Sequence, residues 1–289
     1  MQTRLIDVPV EGGDLRVLVW GSGKHVAVAL HGITASAMSW QAVARHMPST
    51  WTLAAPDLRG RGHSRDLPGP YGLDRHVADV TAVLRHFGGR PVLAGHSMGA
   101  YAALLTRDAH PSLVRRLVLV DGGLPRPVPD GVDPEASLEA TLGPALTRLQ
   151  RTYADIDAYL DFWRAHPALA EHWTPDIEAY ARYDIVGEPG HMRARPIVEA
   201  VRADTRDIVA EKPFADALSH LTRPTPLLTA PDGLLGEPPG FQPPDLVATW
   251  QERAPQLRPL LVPGVNHYTI IYEGVGAAAV ARAITTTAV

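Results

Sequence analysis

Gly95-His96-Ser97-Met98-Gly99 is the stretch of this chain whose reading decides the fold. Directly before it runs the apolar segment Pro91-Val92-Leu93-Ala94, and directly after it the small-residue helical stretch Ala100-Tyr101-Ala102-Ala103-Leu104-Leu105. The serine of this G-x-S-x-G pattern therefore falls at a strand-to-helix corner. Glycines flank it because so tight a corner has no room for a Cβ on either side. The serine itself is expected in a strained backbone conformation that lifts its Oγ clear of the sheet.

Outward from that corner, β-rich apolar segments alternate with helical ones through the first 120 residues or so, the pattern of a mostly parallel sheet covered on both faces. Residues 4–10 and 14–20 read as an opening hairpin turned by Glu11-Gly12-Gly13. His25 to Leu30 and Trp51 to Ala55 are continuous apolar runs of the buried parallel kind, and Leu113 to Val120 is another, closed by Asp121-Gly122-Gly123. Between Asp74 and Phe87, the residues Val77, Val80, Leu84 and Phe87 recur at helical spacing, with Asp74 as the expected N-cap and Gly88-Gly89 as the stop.

The alternation breaks after residue 123. Residues 124–220 carry Pro-rich linkers and helical periodicity without a convincing strand, which predicts an all-helical insertion, or cap, on a core made of residues 1–123 and 221–289. Leu138, Leu142, Leu146, Leu149 and Tyr153 mark one helical face there, and Tyr159, Phe162, Trp163, Trp173, Tyr180 and Tyr183 concentrate aromatics. Those rings form either a small core of the insertion or part of a substrate wall, with Trp163 and Tyr159 the candidates for the wall. Strand pattern resumes at Pro226 to Ala230 and Leu257 to Val262, and an alanine-rich helix near 274–285 follows.

A chain of 289 residues, 45% of them hydrophobic, can bury one large α/β core with an insertion. Its formal net charge of −4 and pI near 6.3 leave no broad basic footprint, so nucleic acid is not an expected partner. With no cysteine, disulfides, Cys-ligated zinc and thiol nucleophiles are excluded. No apolar run reaches membrane-spanning length and the start lacks a signal-peptide pattern, so the expectation is a cytoplasmic protein not bound to a membrane. The oligomeric state is left open.

A serine hydroxyl is a poor nucleophile at neutral pH, so the corner calls for a histidine base and a carboxylate to orient it. Pro263-Gly264-Val265-Asn266-His267-Tyr268 follows the last predicted strand and supplies His267. His96 neighbours the serine and is expected to point away from it. His46, His76, His86, His110, His166, His172, His191 and His220 read as helix-surface or loop residues. No H-E-x-x-H pair occurs, and neither a catalytic metal nor a cofactor is expected.

Taken together, the chain resembles the α/β-hydrolase superfamily from His31 through His267, with serine preceding histidine in the order typical of that fold. The resemblance implies an eight-stranded, mostly parallel sheet with helices on both faces and a helical cap. His31-Gly32-Ile33-Thr34 resembles the family's H-G-x motif, which implies an oxyanion hole built from the backbone N–H groups of Ile33 and Met98. Asp57-Leu58-Arg59-Gly60-Arg61-Gly62-His63-Ser64 resembles its D-x-R-G-x-G-x-S loop, expected to brace the pocket without a catalytic role. For the acid, the common family pattern placed on Pro224 to Gly233 puts glycine where the aspartate belongs, with Asp232 one residue early in a Pro-Asp-Gly turn. Asp121, at the end of the strand beside the serine's, is the preferred candidate, with Asp232 the alternative and Glu237 a further one.

These parts imply a serine hydrolase that cleaves a small carboxylic ester, or a lactone, through an acyl-enzyme on Ser97. Thioesterase or cofactor-free perhydrolase chemistry would use the same residues. Family members that open epoxides or cleave halides carry an aspartate at the corner, so Ser97 disfavours those branches. A reading of another class is a small-ligand receptor on the same fold, against which the intact Ser97 and His267 argue.

Overall fold

The computed structural model of the chain describes residues 2–126, 133, 143, 145–272 and 274–286. Its strands are β1 (Thr3–Val10), β2 (Gly13–Trp20), β3 (His25–Leu30), β4 (Trp51–Pro56), β5 (Val92–His96), β6 (Arg116–Val120), β7 (Ile185–Val186), β8 (Arg193–Ala194), β9 (Thr225–Thr229) and β10 (Leu257–Leu261). Eight of them form one sheet in the order β1-β2-β4-β3-β5-β6-β9-β10. The pairings β1 with β2 and β2 with β4 are antiparallel, and those from β4 to β10 are parallel. Strands β4 and β5 are buried along their whole length, as their unbroken apolar runs require. β10 differs: it is the outer strand, so Leu260 and Leu261 face solvent and Pro259 loses nothing by lacking an N–H.

The helices are α1 (Gln41–Arg45), α2 (Leu73–Phe87), α3 (Met98–Ala109), α4 (Ile156–Arg164), α5 (Pro175–Tyr183), α6 (Val198–Ile208), α7 (Glu211–Ser219), α8 (Pro244–Arg253), α9 (Thr269–Tyr272) and α10 (Gly274–Thr285). α2 packs against α3, which α7 also meets, and α1 packs against α10. The expected cap of α2 is not Asp74. That helix starts one residue earlier, at Leu73, and the Leu73 N–H donates to Asp207 Oδ2 at 2.7 Å, so a carboxylate from α6 does what a local cap would have done.

Among the described residues of 124–220, most fall in helices but not all do. β7 and β8 pair there as a short antiparallel ribbon, and Tyr153 bridges to Met192 instead of continuing a helix. Of the predicted helical face, Leu138 and Leu142 lie outside the described residues, while Leu146 and Leu149 fall in a helical stretch over 145–150.

Candidate active site

The corner after β5 has the strained geometry its sequence demands. Ser97 sits at φ 55° and ψ −124°, a conformation rare for a residue with a side chain. A Cβ on Gly95 would lie 2.1 Å from the Gly99 carbonyl oxygen, and one on Gly99 would lie 2.2 Å from that of Leu30. Only glycine fits at either place. The Ser97 N–H donates to the Val120 carbonyl at 3.0 Å, tying the corner to the end of β6.

One residue beyond that carbonyl is Asp121, also at positive φ (42°) and fully buried. Its N–H donates to the Leu228 carbonyl at 2.7 Å, and its Oδ1 accepts from the Ala230 N–H at 3.2 Å, so β9 fixes the carboxylate. Oδ2 meets His267 Nδ1 at 2.7 Å. A carboxylate only accepts, so Nδ1 carries a proton, and in the neutral form of the ring Nε2 keeps its lone pair. The His267 ring packs beside Phe241 and His96, at centroid distances of 4.6 and 4.7 Å.

Ser97 and His267 line one cavity, together with Gly32, Ile33, Met98 and a mainly apolar wall that includes Phe241 and Tyr268. The cavity and its mouth contain about 620 Å³ of empty space. No Lys, Arg, Asp or Glu lines it among the described residues. Over it passes the loop after β3, so close that a Cβ on Gly32 would be 3.6 Å from Ser97 Oγ. His31, just before, is buried, and burial pulls its imidazole down to about 3, so it is neutral. Its Nε2 accepts from the Leu58 N–H at 2.9 Å and its Nδ1 donates to the Gly32 carbonyl at 2.8 Å. Met98 opens α3, where backbone N–H groups have no intrahelical acceptor. Neither its N–H nor that of Ile33 donates to a protein acceptor among the described residues.

Several expected placements change. Tyr159 and Trp163 do not line this cavity; both are buried around Arg148, whose guanidinium donates to the Tyr159 hydroxyl oxygen at 2.5 Å and sits 4.9 Å from the Trp163 ring centre. Asp232 contributes its backbone instead of its carboxylate, its carbonyl accepting the His267 N–H at 3.1 Å. His96, expected to point away from Ser97, helps to line the cavity, and it donates from Nε2 to the His267 carbonyl at 2.8 Å. Burial, reinforced by the His267 ring, holds His96 well below the usual imidazole range. His76, expected at a helix surface or in a loop, is buried on α2, and His166 lies in a loop but is buried, which lowers it to about 4.

Two contributors escaped the sequence reading. Phe241 lies in a Pro- and Gly-rich loop with no periodic signal. Asn266 accepts at Oδ1 from the Tyr268 and Thr269 N–H groups, at 2.9 and 3.0 Å, and donates from Nδ2 to the Ala168 carbonyl at 2.7 Å. Its signal was available: an asparagine with a threonine three residues on, at the start of a short helix.

Comparison with known proteins agrees with this geometry. Residues 28–175 match the family described as alpha/beta hydrolase fold. The chain belongs to that family. Lipase LipV of Mycobacterium tuberculosis is 34% identical over 155 residues, which cover 50% of this chain and 58% of LipV, so the match spans little more than half of that relative. The crystal structure of E-2-(acetamidomethylene)succinate hydrolase superimposes with a TM-score of 0.80 at 23% identity over 98% of both chains. A thioesterase domain from the curacin biosynthetic pathway does so with 0.76 at 22% identity, over 99% of this chain and all (100%) of that one. At such identities these two attest the fold of this alpha/beta hydrolase family member and nothing finer. No helix among the described residues is long and apolar enough to cross a membrane.

Proposed function

We propose that this alpha/beta hydrolase is a serine hydrolase cleaving a small, uncharged carboxylic ester or lactone. The observation that carries the reading is the 2.7 Å contact of His267 Nδ1 with buried Asp121, made by a ring that lines the same cavity as the strained Ser97. In the first step the Ser97 hydroxyl proton passes to His267 Nε2 as Oγ bonds to the acyl carbon, and the carbonyl electron pair moves onto oxygen. The Ile33 and Met98 N–H groups receive that oxyanion. Collapse expels the alcohol, which takes the proton from Nε2, and a water activated by His267 then hydrolyses the acyl-enzyme. The apolar, uncharged lining supports an acyl or alcohol group without ionic substituents.

The test is labelling with a fluorophosphonate, followed by hydrolysis of p-nitrophenyl acetate. Wild-type protein is expected to label at Ser97, and Ser97→Ala to lose both labelling and turnover while melting at about the wild-type temperature, because the hydroxyl contributes chemistry and little packing. A wild-type chain that neither labels nor turns over would leave the receptor reading in its place.

A further inference from the structure

Three consecutive carbonyls of the loop over Ser97 are each held from behind. Gly32 O accepts from His31 Nδ1 at 2.8 Å and from the Ala35 N–H at 3.1 Å. Ile33 O accepts from Arg61 Nε at 2.9 Å. Thr34 O accepts from Arg148 Nη2 at 2.6 Å. In a trans peptide the C=O and N–H point in opposite directions, so anchoring a carbonyl in the protein aims the N–H of the same plane the other way. The plane that carries the Ile33 N–H is held directly through Gly32 O, and the two planes after it are held by guanidiniums.

Those guanidiniums are out of water, and each is balanced by a carboxylate from the segment 124–220. Arg61 Nη2 is 2.6 Å from Asp204 Oδ2, with both side chains 0% exposed, and His76 Nε2 meets the same oxygen at 3.0 Å. Arg148 pairs with Asp184, at side-chain exposures of 1% and 0%, and the Tyr159 hydroxyl donates to that same carboxylate. A buried guanidinium without its counter-charge is strongly destabilising, so each arginine stays on its carbonyl only while the matching aspartate is in place. A surface brace would have needed neither pair.

We infer that Arg148 with Asp184, and Arg61 with Asp204, are positioning residues that hold the oxyanion loop, so that the seating of the inserted segment and the aim of the Ile33 N–H are one event. This rests on the hydrolase reading above. It assigns Tyr159 and Trp163 a place in that clamp, around Arg148, in exchange for the substrate wall expected of them.

The experiment uses the double variant Arg148→Met/Asp184→Leu, which removes the charge pair together and leaves no buried ion unpaired. Ile177→Ala, a cavity variant in the same segment, serves as a control for lost stability alone. Turnover of p-nitrophenyl acetate is read as kcat and KM. Affinity is read for phenylboronic acid, whose boron bonds to Ser97 Oγ while the serine proton passes to His267, giving an anionic tetrahedral adduct with no leaving group.

The double variant is expected to lose about 10²-fold in kcat, with a parallel loss of boronate affinity and little change in KM. Ile177→Ala is expected to melt lower with kcat and boronate affinity kept. Arg148→Lys, which keeps the charge but cannot span Asp184 and Thr34 O together, is expected to fall between wild type and the double variant. Values of kcat and boronate affinity for the double variant within about two-fold of wild type would overturn the inference and leave the hydrolase reading standing. So would a double variant that loses no more than Ile177→Ala does at equal melting temperature. Failure of wild-type protein to label with fluorophosphonate would instead remove the hydrolase reading, and this inference with it.

Discussion

Asp121 and Asp232 offered nearly the same chemistry on paper, and a backbone angle separates them in the fold. At φ 42°, Asp121 turns its carboxylate back under β9, where the Ala230 N–H takes one oxygen and His267 the other. Asp232 faces His267 with its carbonyl. With Asp121→Asn, the amide nitrogen can take the place next to Nδ1, favouring the tautomer that puts the proton on Nε2, the wrong atom for a base. A loss of about 10⁴-fold in kcat is expected, against little change for Asp232→Asn. Steady-state kinetics on one aryl ester with both variants decides it, and the reverse ranking would contradict the assignment. Ser97 and His267 can be singled out as candidates in the sequence because each stands alone in its pattern: one serine between two obligatory glycines, one histidine after the last strand. The sequence gives no sign that the His96 ring packs beside His267, 171 residues further along the chain.

Among the elements, the parallel strands could be read because burial on both faces leaves uninterrupted apolar runs, and a run is a local signal. Long-range caps left none: nothing around Leu73 announces that Asp207 will receive its N–H. The loop Asp57 to Ser64, expected to brace the pocket, is tied to its surroundings by hydrogen bonds and buried charge. Buried Asp57 accepts from the Ala37 and His63 N–H groups at 2.8 Å each and from the Tyr183 hydroxyl at 2.5 Å. Despite those donors, burial pushes its carboxyl up from the ordinary 3.8 to about 6. The folded chain therefore takes up this proton before the unfolded chain does as the pH falls. Its stabilising contribution is complete below the unfolded pKa and is lost as the pH rises through about 6. Asp57→Asn cannot titrate, so the stability difference, wild type minus variant, is expected to fall by on the order of 2 kcal/mol between about pH 4 and pH 7. Denaturant titrations at the two pH values measure it, and a difference that stays flat would show that Asp57 keeps its ordinary carboxylate behaviour.

Over the whole molecule, the sheet order brings Ser97 from the end of β5, Asp121 from the end of β6 and His267 from beyond β10 to one edge of the sheet, where open α/β sheets place their sites. From the sequence, residues 124–220 read as an insertion on a core of residues 1–123 and 221–289, with its own periodicity and its partners far away along the chain. Its contacts tie it into that core. Asp204 balances Arg61 and meets His76 Nε2, the Tyr183 hydroxyl meets Asp57, Asp207 caps α2, and the Ala168 carbonyl holds Asn266 beside His267. Cutting the segment out would leave a guanidinium, a carboxylate and a helix end of the core buried or newly exposed without their partners, at several kcal/mol for the unpaired charges alone. Deletion of residues 124–220 with a short glycine-serine bridge is thus expected to abolish cooperative folding, where an independent lid would only have broadened the range of esters accepted. Circular dichroism melting and fluorophosphonate labelling of the deletion variant distinguish the two: a sharp transition with retained labelling would mean that the core sustains the corner, the histidine and the oxyanion loop without help.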